Sequence, residues 1–230
     1  MRAYRALSKR SLRVAVLVVF LVVPVVGCYE SPTAPCHHCE PIEWDDDYTR
    51  RVQREFTVDD GAGILVDDFV GRVTYRVGVD ERVRVVATLR ARRYSDLDHI
   101  ALSMVSHSGG VDVRAQNPAH LKHVAVDLEI TAPAGAVPSI AVGTGDIDYR
   151  GRPTGAYRFT TGVGSIRVRL PADVSLTVEL SVGVGSIFLG FPVDGMVSNP
   201  PGYVRGRIGD GGDGRLDACA AVGNITLSEW

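Results

Sequence analysis

A glycine motif recurs through the second half of this chain and limits what it can fold into. Each copy is a glycine, one variable residue and an isoleucine, and the copies end at Ile147, Ile166, Ile187, Ile208 and Ile225. Successive copies are 19, 21, 21 and 17 residues apart. A fixed motif with a period of about 20 residues is typical of stacked structural repeats, since one repeat alone cannot bury its apolar face.

The residues that follow each glycine alternate between apolar and polar. After Gly164, for example, the apolar Ile166 and Val168 flank the polar Arg167. A two-residue period rich in β-branched side chains is the pattern of a half-buried β-strand. The repeats are therefore predicted to be strands that meet at glycine corners.

The first part of the domain shows the same strand pattern. Strand-like runs separated by turn signals fill residues 53–130, and Gly71 begins an early copy of the glycine motif. Only residues 95–99 have the pattern of a helical turn. The sequence predicts one all-β domain over residues 51–230.

Two arrangements of these strands are compatible with the pattern. In a parallel β-coil (solenoid) with one turn per repeat, the five isoleucines occupy equivalent inward positions and stack at about 4.8 Å. In an antiparallel β-sandwich, sequential strands pair as hairpins and the isoleucines scatter over two sheets. The fixed glycine phase favours the coil, because a one-residue slip would turn every isoleucine towards water.

The N-terminus has the composition of an export signal. Residues 1–13 carry five basic residues and no acid, and the apolar run at 14–23 is too short to span a bilayer. The next four residues, Val25–Cys28, resemble a bacterial lipobox. That resemblance implies a lipoprotein signal peptide at residues 1–27 and a lipid-modified, acylated Cys28, for example with palmitate, as a membrane anchor. The alternative is an ordinary secretory signal followed by a chance cysteine.

Removing the signal makes the chain more acidic, because 20 of the 25 Lys and Arg residues remain against 27 Asp and Glu. This balance argues against a nucleic-acid partner and against flat adsorption on anionic lipid. By the lipobox resemblance, Tyr29 after the cysteine favours an outer membrane or the cell surface over the inner membrane.

Residues 28–50 are predicted to be a tether, since they are rich in proline and acidic residues and cannot build a core. Within them, Cys36 and Cys39 enclose two histidines. A local disulfide between Cys36 and Cys39 is the first interpretation, and a zinc or copper site or two unpaired thiols are the alternatives. Cys219 lies in a predicted strand and is expected to be an ordinary small strand residue.

No residue pattern nominates a catalytic centre. Ser165 and Ser186 follow glycine, but each precedes a strand rather than the helix of a nucleophile elbow. Acidic residues are spread along outward faces without an obvious acid–base pair. We therefore expect a protein that is not an enzyme and that needs no cofactor.

Several segments together resemble the DUF4097 family of adhesin-like surface proteins. They are Gly63–Val66, Gly71–Val73, Val124–Ile130 with Ala132–Gly135, the repeated glycine motif, Gly209–Asp217 and Gly223–Leu227. The resemblance covers residues 51–230. It implies a right-handed parallel β-helix or a related β-coil, placement in the cell envelope, and no established catalytic residues.

These observations predict a lipid-anchored envelope protein with a non-catalytic, adhesin-like domain that binds an envelope glycan or protein. One alternative is a polysaccharide-active β-helix enzyme. Another is a metal-handling lipoprotein that uses Cys36 and Cys39. Fold alone does not decide among these functions.

Overall fold

The computed structural model describes residues 48–198, 201–212 and 214–230. The predictions for the signal peptide, for Cys28, for most of the tether and for Cys36 and Cys39 lie outside the described residues.

The described residues form fifteen β-strands and one short 3-10 helix, Tyr94–His99, close to the predicted turn. The strands are β1 (Tyr48–Thr57), β2 (Gly63–Val70), β3 (Val73–Val77), β4 (Arg82–Ala91), β5 (Ala101–His107), β6 (Gly110–Gln116), β7 (Val124–Ala132), β8 (Val137–Thr144), β9 (Ile147–Arg150), β10 (Ala156–Val163), β11 (Ile166–Leu170), β12 (Leu176–Leu189), β13 (Asp194–Val197), β14 (Tyr203–Ile208) and β15 (Gly214–Glu229). The predicted all-β class is confirmed.

The strands form one sheet of mixed orientation that is nearly closed into a barrel-like shape. Among the described residues, nine strand pairings are parallel and five are antiparallel. The antiparallel pairings lie at the two ends of the sheet, around β4 and β5 at one end and β14 at the other. The predicted wholly parallel β-helix is therefore wrong, and a sandwich of hairpins does not describe the parallel centre either.

Two rows of strands make up the parallel centre. The first row contains β6, β2, β8, β10 and the first half of β15. The second row contains β7, β3, β9, β11 and the second half of β15. The long strands β15 and β12 run through both rows and pair with each other along their whole length. Apolar side chains from both rows point inward and form one continuous core.

Neighbouring strands do not follow the order of the chain. The C-terminal strand β15 lies between β10 and β11 on one side and β12 on the other. Likewise, β6 and β7 pair on the outer side of β2 and β3. The predicted stacking of repeats in sequence order is therefore confirmed where β8 and β9 pair with β10 and β11, and it is wrong where β15 lies between β11 and β12. Each copy of the glycine motif presents a similar strand edge, so the motif does not specify which copy pairs with which.

Four of the five isoleucines form the predicted ladder. Ile147 pairs with Ile166, Ile166 with Ile225, and Ile225 with Ile187. The first three of these residues are fully buried, whereas Ile187 lies on the outermost parallel strand and is half-buried. Ile208 is the exception, because β14 runs antiparallel to β12 and carries it outside the ladder. The ladder prediction is confirmed for four residues and wrong for Ile208.

A column of glycines forms the corner between the two rows. Gly71, Gly145, Gly164, Gly185 and Gly223 all have φ values between 140° and 153°. A Cβ atom on Gly164 would lie 2.0 Å from the carbonyl oxygen of Gly145, and one on Gly223 would lie 1.7 Å from that of Gly164. Backbone of the adjacent strand occupies the space of a side chain, so the corner needs glycine for both conformation and packing.

The residue after the corner glycine ties neighbouring strands together. Asp146 Oδ1 accepts a hydrogen bond from the Ser165 N–H at 2.9 Å, and Asn224 Oδ1 accepts one from the Ser186 N–H at 3.0 Å. Both serines therefore stand at strand corners, as predicted, and a strand continues after each of them.

Aromatic side chains fill the core beneath β3, β9 and β10. The rings of Tyr75 and Tyr149 stack with centroids 5.6 Å apart, and Tyr149 lies 5.2 Å from Phe159 and 5.6 Å from Tyr157. The Tyr157 hydroxyl donates a hydrogen bond to the Ala136 carbonyl oxygen at 3.0 Å. Burial raises the pKa of Tyr75 and Tyr149. Side chains alternate between the inner and outer faces of a strand, so each packed ring has outward-pointing residues next to it along the chain. The packed rings therefore restrain the backbone that carries those outward residues.

Candidate functional site

Three arginines form a column across the outer face of the second row, which we call the arginine column. Arg76 on β3 pairs in register with Arg150 on β9, and Arg150 pairs with Arg169 on β11. All three side chains are exposed. Thr131 and Ser228 hold the next positions on the two sides, so no acid occupies the cross-strand positions that adjoin the column. Adjacent strands are about 4.8 Å apart, which places the three stems within about 10 Å of each other.

Arginines nearer the corner are balanced by acids. Arg72 lies 3.3 Å from Asp146 and 3.7 Å from Asp148, and Arg167 lies 3.1 Å and 3.6 Å from the same two carboxylates. Burial raises the pKa of Asp146, but the Ser165 amide and the Arg167 guanidinium outweigh this effect and leave the pKa below its usual value. These two arginines therefore have their counter-charges within the protein.

The arginine column lacks such counter-charges. In the part of the chain that the structure describes, no carboxylate forms an ion pair with Arg76, Arg150 or Arg169. Like charges directly opposite each other destabilise a sheet. The column is thus a local concentration of positive charge on a chain whose formal net charge is −2.

A groove of about 570 Å³ lies beside the column. Its lining consists of Arg76, Val77, Arg150, Gly151, Arg152, Pro171 and Trp230. The Trp230 N–H donates a hydrogen bond to the Leu170 carbonyl oxygen at 3.3 Å, which holds the tryptophan at the end of β11. The Arg150 guanidinium lies 5.2 Å from the centre of the Trp230 ring, whereas Arg152 is paired with Asp173. The groove therefore combines guanidinium groups, one aromatic ring and a partly apolar lining.

This arrangement suits the binding of an anion. A guanidinium group stays charged at physiological pH, and its planar fork of donors matches carboxylate, sulfate and phosphate oxygens. Arginine is a poor general acid or base for the same reason. The stack of Arg150 on Trp230 also restricts the arginine before any ligand arrives, which lowers the entropy cost of binding.

A smaller recess of about 210 Å³ lies where β1 turns into β2, beside the β5–β6 hairpin. Its side chains are largely engaged with the protein itself. His107 Nε2 lies 3.2 Å from Asp112, His107 Nδ1 accepts the Gly109 N–H at 3.1 Å, and Asp60 accepts the Gly61 N–H at 3.0 Å. We therefore place the candidate site at the arginine groove.

The arginine column was not among the residues predicted from the sequence, although the sequence contains a signal for it. Arg76, Arg150 and Arg169 each follow a corner glycine by five residues. Residues at one offset from the corner share a column in the sheet, so charges that recur at that offset come together. Finding the signal requires that the repeats be aligned on their glycines and compared column by column.

The structure describes only some of the cysteines that the sequence singled out. Cys28, Cys36 and Cys39 lie outside the described residues. Cys219 lies on β15, so its predicted strand position is confirmed, and it is disulfide-bonded there, which was not predicted. The other three cysteines of the chain all precede residue 48, and the partner of Cys219 therefore lies outside the described residues.

Within the described ranges, no group of three or more His, Cys, Asp or Glu side chains is arranged to hold a metal ion. The same residues contain no helix that is long and apolar enough to cross a membrane.

Comparison with known proteins gives fold-level similarity alone. No family model and no curated relative matches the chain, so the resemblance to DUF4097 is not confirmed. The chain is similar to the solved structure of a "putative cell adhesion protein" from Clostridium sporogenes, at 11% identity and a TM-score of 0.48, over 79% of this chain and 100% of that one.

Two further solved structures are similar at lower TM-scores. One is a "putative adhesin" from Bacteroides fragilis, at 10% identity and a TM-score of 0.28, over 77% of this chain and 97% of that one. The other is a "putative lipid binding protein" from Parabacteroides distasonis, at 10% identity and a TM-score of 0.25, over 77% of this chain and 96% of that one. At these values the similarities determine neither the ligand nor the activity of this chain.

Proposed function

We propose that this chain is a lipid-anchored protein of a bacterial cell envelope whose β-domain is a non-catalytic, adhesin-like binding module. In this proposal residues 1–27 are the signal peptide and Cys28 carries the lipid. The tether runs from residue 28 to the start of β1 at Tyr48, three residues before the predicted boundary at 51, and the binding domain extends from there to residue 230. The lipobox-like sequence supports the anchor, and the proline-rich and acidic composition supports the tether.

The observation that carries the binding role is the arginine column with its groove. Arg76, Arg150 and Arg169 stand in register on three adjacent parallel strands, and no carboxylate of the described residues forms an ion pair with them. Exposed charge that the protein itself leaves uncompensated is available to a ligand of opposite charge.

The β-sheet suits a contact surface because it fixes the spacing of its outward side chains. Residues in one column lie at the strand separation of about 4.8 Å, and the tyrosine-lined core beneath β3 and β9 restrains their backbone. A surface that is ordered before binding loses little conformational entropy in the complex. Guanidinium groups hold an anion without moving protons, which supports binding without turnover.

The anchor is tested by fatty-acid labelling in a bacterial host. The wild-type protein should incorporate labelled palmitate and fractionate with membranes, and the variant Cys28→Ser should take up no label, because the thiol that accepts the lipid is gone. Cys36→Ser is the matched control and should be labelled like the wild type. Label on the Cys28→Ser variant would show that the anchor assignment is wrong.

The cysteine assignments constrain each other. If Cys28 is acylated, Cys36 and Cys39 are the only cysteines left to pair with Cys219, so a local Cys36–Cys39 disulfide and the bond at Cys219 cannot both be present. Mass spectrometry of peptides digested without reduction distinguishes the two pairings. A cross-linked peptide that contains Cys219 would overturn the predicted local disulfide.

The binding role is tested with purified protein and isolated envelope. The Cys28→Ser protein, which no lipid can hold to a membrane, should sediment with envelope material, less so at high salt, and should release no soluble saccharide during the incubation. Release of saccharide fragments would instead support the polysaccharide-active enzyme. Failure to sediment would contradict the binding role.

A further inference from the structure

We propose that the arginine column and the adjacent groove bind an acidic polysaccharide, with successive carboxylate or sulfate groups of the glycan held by Arg76, Arg150 and Arg169. This inference rests on the binding function proposed above and names the class of ligand for that site.

The absence of acids along the column is the first reason. Several other outward arginines face carboxylates, as when Arg215 lies 2.8 Å from Glu179 and Arg205 stands opposite the same Glu179. The arginine column instead ends in Thr131 and Ser228 among the described residues. Repulsion between its charges costs stability in the unbound protein. An anionic ligand offsets that cost, so its binding stabilises the folded protein at this face.

The spacing of the column favours a polymer over a small anion. One guanidinium group stands on each of three successive strands, at intervals of about 4.8 Å. A single carboxylate reaches one or two of them, whereas a glycan with acids on successive sugars reaches all three. Contacts made by one connected ligand reinforce each other, because the second and third form at high effective concentration. Each acid also matches the bidentate geometry of arginine.

The groove supplies what a sugar ring needs besides charge. Trp230 is 47% exposed, and Val77 and Pro171 contribute to the lining beside it. Sugar rings have apolar faces that pack on aromatic rings, while their polar edges remain available for hydrogen bonds. A glycan chain that crosses β3, β9 and β11 therefore meets the arginines in sequence and passes Trp230 on its way.

Other polyanions fit this surface less well. Asp146 and Asp148 lie on β9 and its corner, close to Arg150 in sequence and on the same outer face. A nucleic acid, with its dense phosphate charge, would meet these carboxylates and a chain of negative net charge. A flat anionic membrane would contact protruding side chains rather than a recess beside them. A glycan chain with well-separated acids matches the column best.

The test uses the full chain with Cys28→Ser, so that no lipid anchor can insert into vesicles, and isothermal titration calorimetry at low salt. The probes are hexameric oligogalacturonate, its neutral methyl ester, a sulfated heparin hexasaccharide, a short single-stranded DNA and vesicles that contain anionic phospholipid. The groove variant is R76Q/R150Q/R169Q. The matched control is R158Q/R205Q/R207Q, which removes the same charge from exposed positions on β10 and β14. A third variant, Trp230→Ala, tests the aromatic contact.

We expect the wild type and the matched control to bind an acidic oligosaccharide, and the groove variant to bind it about tenfold more weakly or worse. The neutral ester should bind weakly to all proteins, Trp230→Ala should lose part of the affinity, and added salt should weaken the wild-type complex. If the uronate probe binds more tightly than the sulfated probe, the acidic groups of the ligand are carboxylates, and in the opposite case they are sulfates.

Several results would overturn the inference. They are equal affinity in the groove variant and the wild type, equal loss in the matched control, equal binding of the neutral ester, or tighter binding of DNA or vesicles. If no acidic glycan binds while the protein still sediments with envelope, the ligand class is wrong and the binding function stands. If the probes are cleaved, the ligand class stands and the non-catalytic function is wrong.

Discussion

At the scale of single residues, Asp68 is the polar group that the sequence pattern explains least. It lies on β2 with 1% of its surface exposed, and neither carboxylate oxygen has a hydrogen-bond partner among the described residues. Burial, with a smaller contribution from the nearby Asp127, raises the pKa of Asp68 to about 8 against the opposing effect of the Val70 backbone. The side chain is therefore mostly protonated at neutral pH.

This shift predicts an unusual dependence of stability on pH. The folded-state pKa of Asp68 lies above its value of 3.8 in the unfolded chain, so the native state binds more protons between those two values. The contribution of Asp68 to the free energy of unfolding should fall as pH rises from about 4 to about 8, by at most about 1.4 kcal/mol per pH unit. Denaturant titrations at pH 5 and pH 8 measure the effect. Asp68→Asn should remove this decrease, because its amide does not titrate.

Asp67→Asn is the matched control, since Asp67 is the adjacent acid on β2 and is exposed. It should keep most of the wild-type decrease between pH 5 and pH 8, because the charge of Asp67 makes only a small contribution to the raised pKa of Asp68. An Asp68→Asn protein with the same difference between pH 5 and pH 8 as the wild type would show that Asp68 is not the group responsible.

At the scale of the strand elements, stability should depend on position in the isoleucine ladder. Ile166 is fully buried between Ile147 and Ile225, whereas Ile187 has one ladder neighbour and is half-buried on the outermost parallel strand. Ile166→Ala should lower the free energy of unfolding by about 2–5 kcal/mol. Ile187→Ala should cost clearly less, because less apolar surface and a smaller cavity are involved.

Urea unfolding of both variants measures this difference, and the exposed partner on the same strand provides a control. Arg167→Ala removes surface ion pairs from a side chain that is 43% exposed, so it should cost at most about 1 kcal/mol. Equal losses for Ile166→Ala and Ile187→Ala would contradict the observed order of strands.

The strands and their inward faces could be predicted from the sequence, because alternation and the glycine phase are local signals. Four ladder isoleucines follow from that phase. The position of Ile208 does not follow from that phase. Gly206 precedes Ile208 at the same spacing, but β14 runs antiparallel to β12 and places Ile208 outside the ladder. The order of the strands could not be predicted either, because the copies have similar edges and the choice among them depends on the packing of the whole sheet.

The candidate site was predictable only in principle. Arg76, Arg150 and Arg169 share an offset from the corner glycine, but their proximity depends on β3, β9 and β11 being consecutive neighbours. Trp230 gives no sequence signal for its position, because it reaches the groove through the end of β15 and its bond to Leu170. A local pattern places residues on a face, and only the pairing of distant strands brings the faces together.

At the scale of the whole molecule, the C-terminal strand joins the two rows. β15 pairs with β10, β11 and β12, and it is the parallel neighbour that holds β12 to the rest of the sheet. In a solenoid that stacks in sequence order, loss of the last repeat leaves the preceding repeats intact. Here the last strand lies inside the sheet, so its removal separates elements that precede it.

Deletion of residues 214–230 should therefore abolish cooperative unfolding of the domain rather than trim one end of it. Circular dichroism during thermal unfolding measures this, and removal of Trp230 alone is the control that should keep a single cooperative transition. A deletion variant that retains the cooperative transition and most of its β-sheet signal would show that β15 is not an internal strand.

The central claim is that the arginine column and Trp230 form the binding site, and nuclear magnetic resonance tests it most directly. Arginine Nε–H and tryptophan indole N–H signals are followed in labelled protein while hexameric oligogalacturonate is added, and assigned with the single variants of each arginine. If the claim is correct, the signals of Arg76, Arg150, Arg169 and Trp230 shift, and those of Arg158 and Arg205 stay unchanged. Shifts centred on Arg158 and Arg205, or no shift at the arginine column, would contradict it.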